Sequence, residues 1–86
     1  MPGFNGHKNW NHWNVSLWIN NDEGLYNLAK ECINEGPQTN WAHHGYRPRD
    51  AASFLFMARI HEMGIYKTPD GGIYNQTAVR AAMVGM

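Results

Sequence analysis

The sequence predicts a mainly α protein, a compact bundle of three to four short helices with one small β-hairpin. Apolar residues recur at intervals of three and four in separate segments, which is typical of amphipathic helices. Clusters of Asn, Asp, Gly and Pro separate these segments and indicate where helices begin and end. The 86 residues contain no internal repeat and no linker, so we expect 1–86 to form a single domain.

We predict the first helix over about 11–20 and expect the other helices to pack around it. Trp10, Trp13 and Leu17 follow helical spacing and share one face. Two further apolar residues point to other sides: Val15 and Trp18. A short helix that is apolar around much of its circumference is usually enclosed by partners, so the indoles are expected to be core residues.

The segment before this helix, residues 1–8, has Pro and Gly and no hydrophobic periodicity. We predict that it forms an N-terminal arm whose Phe4 docks on the core. Asn9 or Asn11 is expected to cap the first helix, because a short side-chain acceptor satisfies a free backbone N–H there.

The second helix is predicted over about 22–35, with Asn21 or Asp22 as its cap. Its buried stripe follows the spacing of one helix face: Leu25, Leu28, Ala29, Cys32 and Ile33. Gly36 is expected to adopt the left-handed conformation that ends a helix, and Pro37 prevents continuation.

The longest irregular stretch is residues 37–49, and a connection of this length in a small domain is usually functional or hides a helical turn. We predict a turn at 39–44, capped by Thr39. Trp41 and Tyr46 are expected to pin the stretch to the core.

The third helix is predicted over about 49–63, in a central position, and Gly64 is expected to end it. Residues 65–75 are predicted to form the hairpin, since Thr-Pro-Asp-Gly provides turn chemistry between two Ile-Tyr pairs. The last helix is predicted over about 76–84. Two side chains are candidates for its cap: Asn75 or Thr77.

Composition excludes several classes of function. Seven basic and seven acidic side chains cancel, so the chain lacks the general attraction to phosphates that drives non-specific nucleic-acid binding. The single cysteine, Cys32, allows no internal disulfide and is predicted to be a buried structural thiol. No segment has the signal-peptide or membrane-span pattern, and we therefore expect a soluble cytoplasmic protein that does not engage a membrane.

Chemistry at a metal or a catalytic group is not favoured by the motifs. The five histidines include no H-E-x-x-H pair and no cysteine pair accompanies them, so no metal or other cofactor is expected. Serine nucleophile and P-loop patterns are also absent from the sequence. We therefore predict a binding protein rather than an enzyme, and an enzyme would need a cleft that joins His12 with His61 or Glu62.

The strongest candidate for a binding site is the loop before the third helix. It combines guanidinium groups, imidazoles and a phenol, which suit a phosphate or carboxylate and an aromatic ring. The alternative is a solvated loop whose arginines pair with Asp50 or Glu62. With two contributions from the first helix, the predicted ligand-binding set is Trp10, His12, His43, His44, Tyr46, Arg47 and Arg49.

The segment Asn9–Lys30 resembles a family of short uncharacterised proteins of bacteriophages and mobile elements. The family pattern N-x-x-T-W-x-V-x-L-W stands here as Asn9, Trp13, Val15, Leu17 and Trp18, followed by Asn-Asp-Glu-Gly-Leu-Tyr at 21–26. The Thr-Pro-Asp-Gly turn at 68–71 also resembles that family. His12 departs from the pattern, since threonine usually precedes the tryptophan there. The resemblance implies a phage-type accessory role in the cytoplasm of a host bacterium and no particular activity.

Two functional hypotheses follow. In the first, the protein binds and inhibits a host protein through exposed aromatic side chains, as in host takeover or counter-defence. The high aromatic content of so short a chain motivates this hypothesis and also the expectation of a homo-oligomer. In the second, a homo-oligomer sequesters a small anionic or nucleotide ligand with Arg47, Arg49 and the neighbouring rings.

Overall fold

The computed structural model describes residues 7–86, and the expected arm with Phe4 lies largely outside them. Five α-helices follow one another, with a single 3₁₀ turn, Gly36–Gln38, after the second. The helices are α1 Trp10–Asn21, α2 Glu23–Glu35, α3 Asn40–His43, α4 Pro48–Glu62 and α5 Gln76–Ala82. The mainly α fold is confirmed: α1, α2, α4 and α5 are its principal helices, and α3 is a single turn.

Three helices begin with a side-chain cap of the kind that the sequence predicts. Asn9 accepts a hydrogen bond from the backbone N–H of His12, at 2.9 Å. Asp22 and Asn75 cap α2 and α5 in the same way, three residues ahead of the N–H that each accepts. Each cap satisfies one of the backbone donors that a helix start leaves free.

The core gathers around α4, which contacts α2, α5, the 3₁₀ turn and α3. Its buried apolar side chains include Phe56 and Ile60. Around them lie aliphatic and small residues of the other helices: Val15, Ile19, Ala29, Cys32, Ala78, Val79, Ala82 and Met83. The central position predicted for this helix is therefore confirmed.

The prediction that α1 is the hub, with its indoles in the core, is wrong. α1 packs against α5 and α2 and presents Val15 and Ile19 to the core. On the opposite face Trp10 is 41% exposed and Leu17 37% exposed, and Trp13 is half-buried. Small residues on α5 bring it close to α1, so branched aliphatic side chains fill the space between the two helices, and the larger indoles lie outside it.

Gly36 does not have the predicted left-handed conformation. Its φ is −48°, and the chain continues from α2 into the 3₁₀ turn. A Cβ at this position would lie 3.0 Å from the backbone oxygen of Pro48 and 3.1 Å from the backbone nitrogen of Ala52. Glycine is therefore required here by the close approach of α4. Gly64, at the end of α4, does have a positive φ of 76°.

The predicted hairpin at 65–75 is wrong, since the described residues contain no strand. A single antiparallel bridge joins Lys67 and Ile73. The bridge is flanked by two backbone hydrogen bonds, from Thr68 N–H to Gly72 and from Tyr74 N–H to Tyr66. An isolated pair of strands has little stability of its own, and this segment is held by side chains of α1 instead. We call residues 65–74 the bridge loop.

None of the helices found within residues 7–86 combines the length and the apolar character that crossing a bilayer would require.

Candidate functional site

An apolar cleft of about 670 Å³ lies between the start of α2, the end of α4 and the bridge loop. Most of its surface is apolar, from the side chains of Trp18, Leu25, Leu28, Met63, Ile65, Pro69 and Tyr74. Met63 is 58% exposed, so its thioether stands at the opening. Pockets of this size and character are the usual sites of ligand or peptide-side-chain binding.

One wall of the cleft is fixed by a polar cluster, which we call the latch: Asn11, Asn14, Trp18, Thr68 and Asp70. Asn14 is 1% exposed and accepts a hydrogen bond from the Thr68 hydroxyl, while its Nδ2 donates to the Asp70 carboxylate at 3.0 Å. The indole N–H of Trp18 donates to the same carboxylate oxygen at 2.9 Å. These bonds hold the bridge loop against α1 and set the position of the Trp18 ring in the cleft.

In a second part of the latch, the side chain of Asn11 makes the backbone hydrogen bonds that a neighbouring strand would make. The side-chain amide of Asn11 donates to the Ile73 carbonyl at 2.9 Å and accepts from the Ile73 N–H at 2.6 Å. Gly72 lies close to the same helix, and a Cβ there would be 2.6 Å from Oδ1 of Asn14. Any side chain at position 72 would therefore displace either the Asn14 amide or the bridge loop.

The charges at the cleft are unequal. Asp22, the cap of α2, and Glu31 of α2 line it, and Lys67 lines it from the bridge loop. The carboxyl of Asp70, in the adjoining latch, has its pKa lowered by the hydrogen bonds from Asn14 and Trp18. Acidic groups therefore outnumber basic groups around this apolar surface.

A second cavity, of about 420 Å³, lies between α1 and the end of α5 and is more polar than the cleft. We call it the α1–α5 groove. Its lining combines basic and polar side chains with an apolar floor: His7, Lys8, His12, Ser16, Asn20, Ala81, Ala82 and Val84. The His12 pKa is lowered by burial and by the positive charges of Lys8 and His7.

The loop predicted to bind a ligand forms one exposed region. His43 and His44 end α3 and are exposed, and Arg47 is the exposed residue that precedes α4. Tyr46 lies edge-on against Phe54, with ring centroids 5.1 Å apart, and Trp41 stacks on the same ring at 5.9 Å. The two aromatic rings thus pin the loop, although Phe54 itself is half-buried.

The structure does not bring the seven predicted ligand-binding residues together in one place. A guanidinium nitrogen of Arg49 donates to the backbone carbonyl of Met86 at 3.1 Å, so part of its fork is used within the protein. The expected partner carboxylate, Asp50, pairs instead with Arg80. Trp10 and His12 lie on α1, which does not contact α3, so they are apart from the other five residues.

Even between themselves the two α1 residues point to different sides. Trp10 is exposed on the outer face, whereas His12 is 9% exposed and faces α5, where its Nε2 lies 3.4 Å from the Thr77 hydroxyl. The ligand-binding role of all seven residues stays a prediction, as does the expected homo-oligomer.

Within residues 7–86 we looked for side chains that could bind a metal ion and for a reactive thiol. No cluster of three or more His, Cys, Asp or Glu side chains is close enough to hold a metal ion in this part of the chain. Cys32 is buried, and burial raises the pKa of its thiol to about 11, so the reactive thiolate is scarce at neutral pH.

The fold and its cavities define the chain as a small helical protein that carries an open apolar cleft. Over residues 1–86 it matches the model of a family of unknown function, DUF7249, and it belongs to that family. This agrees with the resemblance to an uncharacterised family. No curated protein and no solved structure matches the chain.

Sequence reasoning missed the cleft, the latch and the α1–α5 groove. One signal for the latch was available, since Asn11 and Asn14 stand inside a helix, where asparagine is unfavourable unless its side chain has a partner. The Thr-Pro-Asp-Gly pattern at 68–71 predicts a turn but gives no sign that the next residue, Gly72, allows the loop to approach α1 closely.

Proposed function

We propose that the protein acts by binding, and that it docks a basic amphipathic segment of a host protein in the apolar cleft. The observation that supports this most directly is the apolar surface gathered from α1, α2, the end of α4 and the bridge loop. By occupying that segment the protein would inhibit its partner, as expected of a phage-type accessory protein in the host cytoplasm.

The shape of the cleft suits a helix. It is an open groove between α2 and the bridge loop, with Trp18 of α1 and the end of α4 completing its walls, and amphipathic helices bind in such grooves through apolar side chains on one face. Leu25 and Leu28 of α2 supply a rigid apolar wall, and the Trp18 ring is fixed by its bond to Asp70. A rigid aromatic group costs little side-chain entropy on binding, which is why Trp is frequent among the residues that dominate binding energy.

The charges select the kind of segment. Two carboxylates, those of Asp22 and Glu31, and one ammonium, that of Lys67, line the cleft. A partner with Lys or Arg beside its apolar face meets opposite charges, and an acidic partner meets like charges. We therefore expect basic amphipathic sequences to be preferred.

The preference can be tested with three synthetic peptides that share one pattern of leucines and carry Lys, Gln or Glu at the polar positions. The Lys peptide should shift the NMR signals of the Trp18 indole and of the Leu25 and Leu28 methyl groups. The Gln peptide should bind more weakly and the Glu peptide weakest. If none of the peptides shifts these signals, or if the Glu peptide binds best, the proposal is wrong.

A pair of variants links the cleft to a host partner. Met63→Lys places a charge at the cleft opening, and Val84→Lys makes the same change at a distant apolar residue that is 69% exposed. Both positions are exposed, so the fold should persist. A bacterial protein that co-purifies with wild type and Val84→Lys, but not with Met63→Lys, supports the proposal. Retention of every co-purifying protein by Met63→Lys contradicts it.

A further inference from the structure

We infer that the α1–α5 groove is a second binding site, which takes a small oxyanion, a phosphate or carboxylate, attached to an apolar group. This inference goes beyond the proposed function, because the site uses other residues and another class of ligand. The groove does not include any residue of the apolar cleft.

The lining supplies positive charge through Lys8. The imidazoles of His7 and His12 lie beside it on the α1 side, and no carboxylate side chain of residues 7–86 lines the cavity. From α5, the lining residues Ala81 and Ala82 carry no charge, and the nearby Arg80 pairs with Asp50 outside the groove. The two salt bridges found within residues 7–86 do not involve Lys8, so its ammonium has no carboxylate partner in this part of the chain.

The polar groups of the groove also have unused hydrogen-bond donors. Ser16 accepts a hydrogen bond from the Asn20 amide, and within residues 7–86 its own hydroxyl hydrogen has no acceptor. The Thr77 hydroxyl donates to Asn75, so Nε2 of His12, 3.4 Å away, is the ring nitrogen placed to donate to that hydroxyl. In the neutral imidazole Nδ1 is then an acceptor, and only the imidazolium form has a second N–H. Lys8 and Ser16 therefore supply the free donors of the groove, and His12 adds another when an oxyanion stabilises its charged form.

The apolar residues of the groove indicate the chemistry of the rest of the ligand. The side chains of Ala81, Ala82 and Val84 have no polar atom and can cover a ring or a short aliphatic chain. The cavity volume of about 420 Å³ fits small-molecule ligands, whose pockets measure about 300–1,000 Å³. The groove thus suits a molecule with one anionic end and one apolar end.

Burial, and after it the charges of Lys8 and His7, lower the His12 pKa, so the charged form of this imidazole is disfavoured in the absence of a ligand. A bound oxyanion adds negative charge beside the ring and stabilises the imidazolium. Binding should therefore raise the His12 pKa, and NMR titration of the imidazole C–H signals detects that change directly.

The experiment uses three probes on the full chain: inorganic phosphate, adenosine monophosphate and the uncharged nucleoside adenosine. Acetate is a fourth probe, and comparing it with phosphate shows whether the groove prefers a carboxylate or a phosphate. We expect adenosine monophosphate to shift the His12 and Ser16 signals and to raise the His12 pKa, and phosphate alone to do so more weakly. Adenosine should leave the His12 pKa unchanged.

Variants that remove one or two positive charges at different positions test whether the ligand binds in the groove. Lys8→Gln should weaken binding of adenosine monophosphate about tenfold, as expected for loss of a charged partner. Lys30→Gln removes the same charge from an exposed position on α2 and should leave binding unchanged. Arg47→Gln/Arg49→Gln tests the loop that the sequence favoured, and it should also leave binding unchanged.

The inference is overturned if neither phosphate nor adenosine monophosphate moves the His12 signals. It is equally overturned if Lys8→Gln binds as tightly as wild type, or if the shifts appear at Arg47 and Arg49. These outcomes leave the cleft proposal untouched, since the peptide experiment reports on Trp18, Leu25 and Leu28.

Discussion

Two faces of α1 carry similar residues and have different roles. On the face toward the bridge loop, Asn14 and Trp18 are bound to Thr68 and Asp70. On the outer face, Trp10 remains largely exposed and Asn21 bonds back to its own helix at the carbonyl of Leu17. A Trp or Asn of this helix therefore stabilises the fold only where a distant segment supplies its hydrogen-bond partner.

The largest effect is expected from Asn14→Leu. The substitution keeps the side-chain size but removes a buried amide, and it leaves the hydroxyl of Thr68 without its acceptor. Loss of buried hydrogen bonds with an unpaired partner should lower the free energy of unfolding by about 2–4 kcal/mol. Urea denaturation followed by circular dichroism measures the change.

Asn21→Leu is the matched control on the outer face. Its side chain is exposed, so the free energy of unfolding should change by about 0.5 kcal/mol or less. Equal destabilisation by the two Asn→Leu variants would remove the distinction between the faces.

Gly72→Ala should have the next largest effect. The new methyl would meet Oδ1 of Asn14 at 2.6 Å, so the bridge loop or α1 must move, at a cost of about 1–3 kcal/mol. Gly24→Ala, whose Cβ would lie 3.3 Å from Asp22, should cost nothing, since alanine is the better helix former.

The double variant Asn14→Ala/Gly72→Ala sharpens this result. Removing the Asn14 amide also removes the atom that the new methyl would meet. The two changes should therefore be less damaging together than the sum of the separate losses, as is usual for residues in contact. Strict additivity in thermal unfolding would show that the close approach of Gly72 is not the cause.

Among the tryptophans, Trp18→Phe should lower the melting temperature more than Trp10→Phe. The substitution at 18 removes the indole N–H that donates to Asp70, whereas within residues 7–86 no hydrogen bond is found for the Trp10 indole. Differential scanning calorimetry on both variants gives the comparison, and a larger effect at Trp10 would contradict the assigned roles.

The smallest effect is a pH dependence carried by Asp70. Its pKa is lowered in the folded protein by the bonds from Asn14 and Trp18, relative to about 3.9 in an unfolded chain. The stability that it contributes is present above the unfolded pKa and is lost as pH falls through the folded pKa. Asp70→Asn should remove this component of the acid dependence, and wild type and variant should differ less at pH 2 than at pH 7.

The local features of the fold were predictable because their signals are local. The caps Asn9, Asp22 and Asn75 each act within three residues, and the α2 stripe repeats within one helix. The bridge loop was not predictable in this way, since Asn14 and Asp70 are 56 residues apart in the chain. One sequence contains no sign that these two side chains meet.

The candidate site illustrates the same limit. His43 through Arg49 are neighbours in sequence and remain neighbours in space, but the contribution expected from α1 failed because α1 does not contact α3. His12 instead faces α5, as its proximity to Thr77 shows. Chemical type identified useful residues, whereas helix packing decided which of them share a cavity.

The side chain of Asn11 has a consequence for how the protein behaves at high concentration. By bonding to both backbone groups of Ile73, it removes them from pairing with the backbone of another chain. Asn11→Ala would leave those groups open beside the exposed Ile73 side chain. In the wild-type chain neither backbone group is available for such a contact.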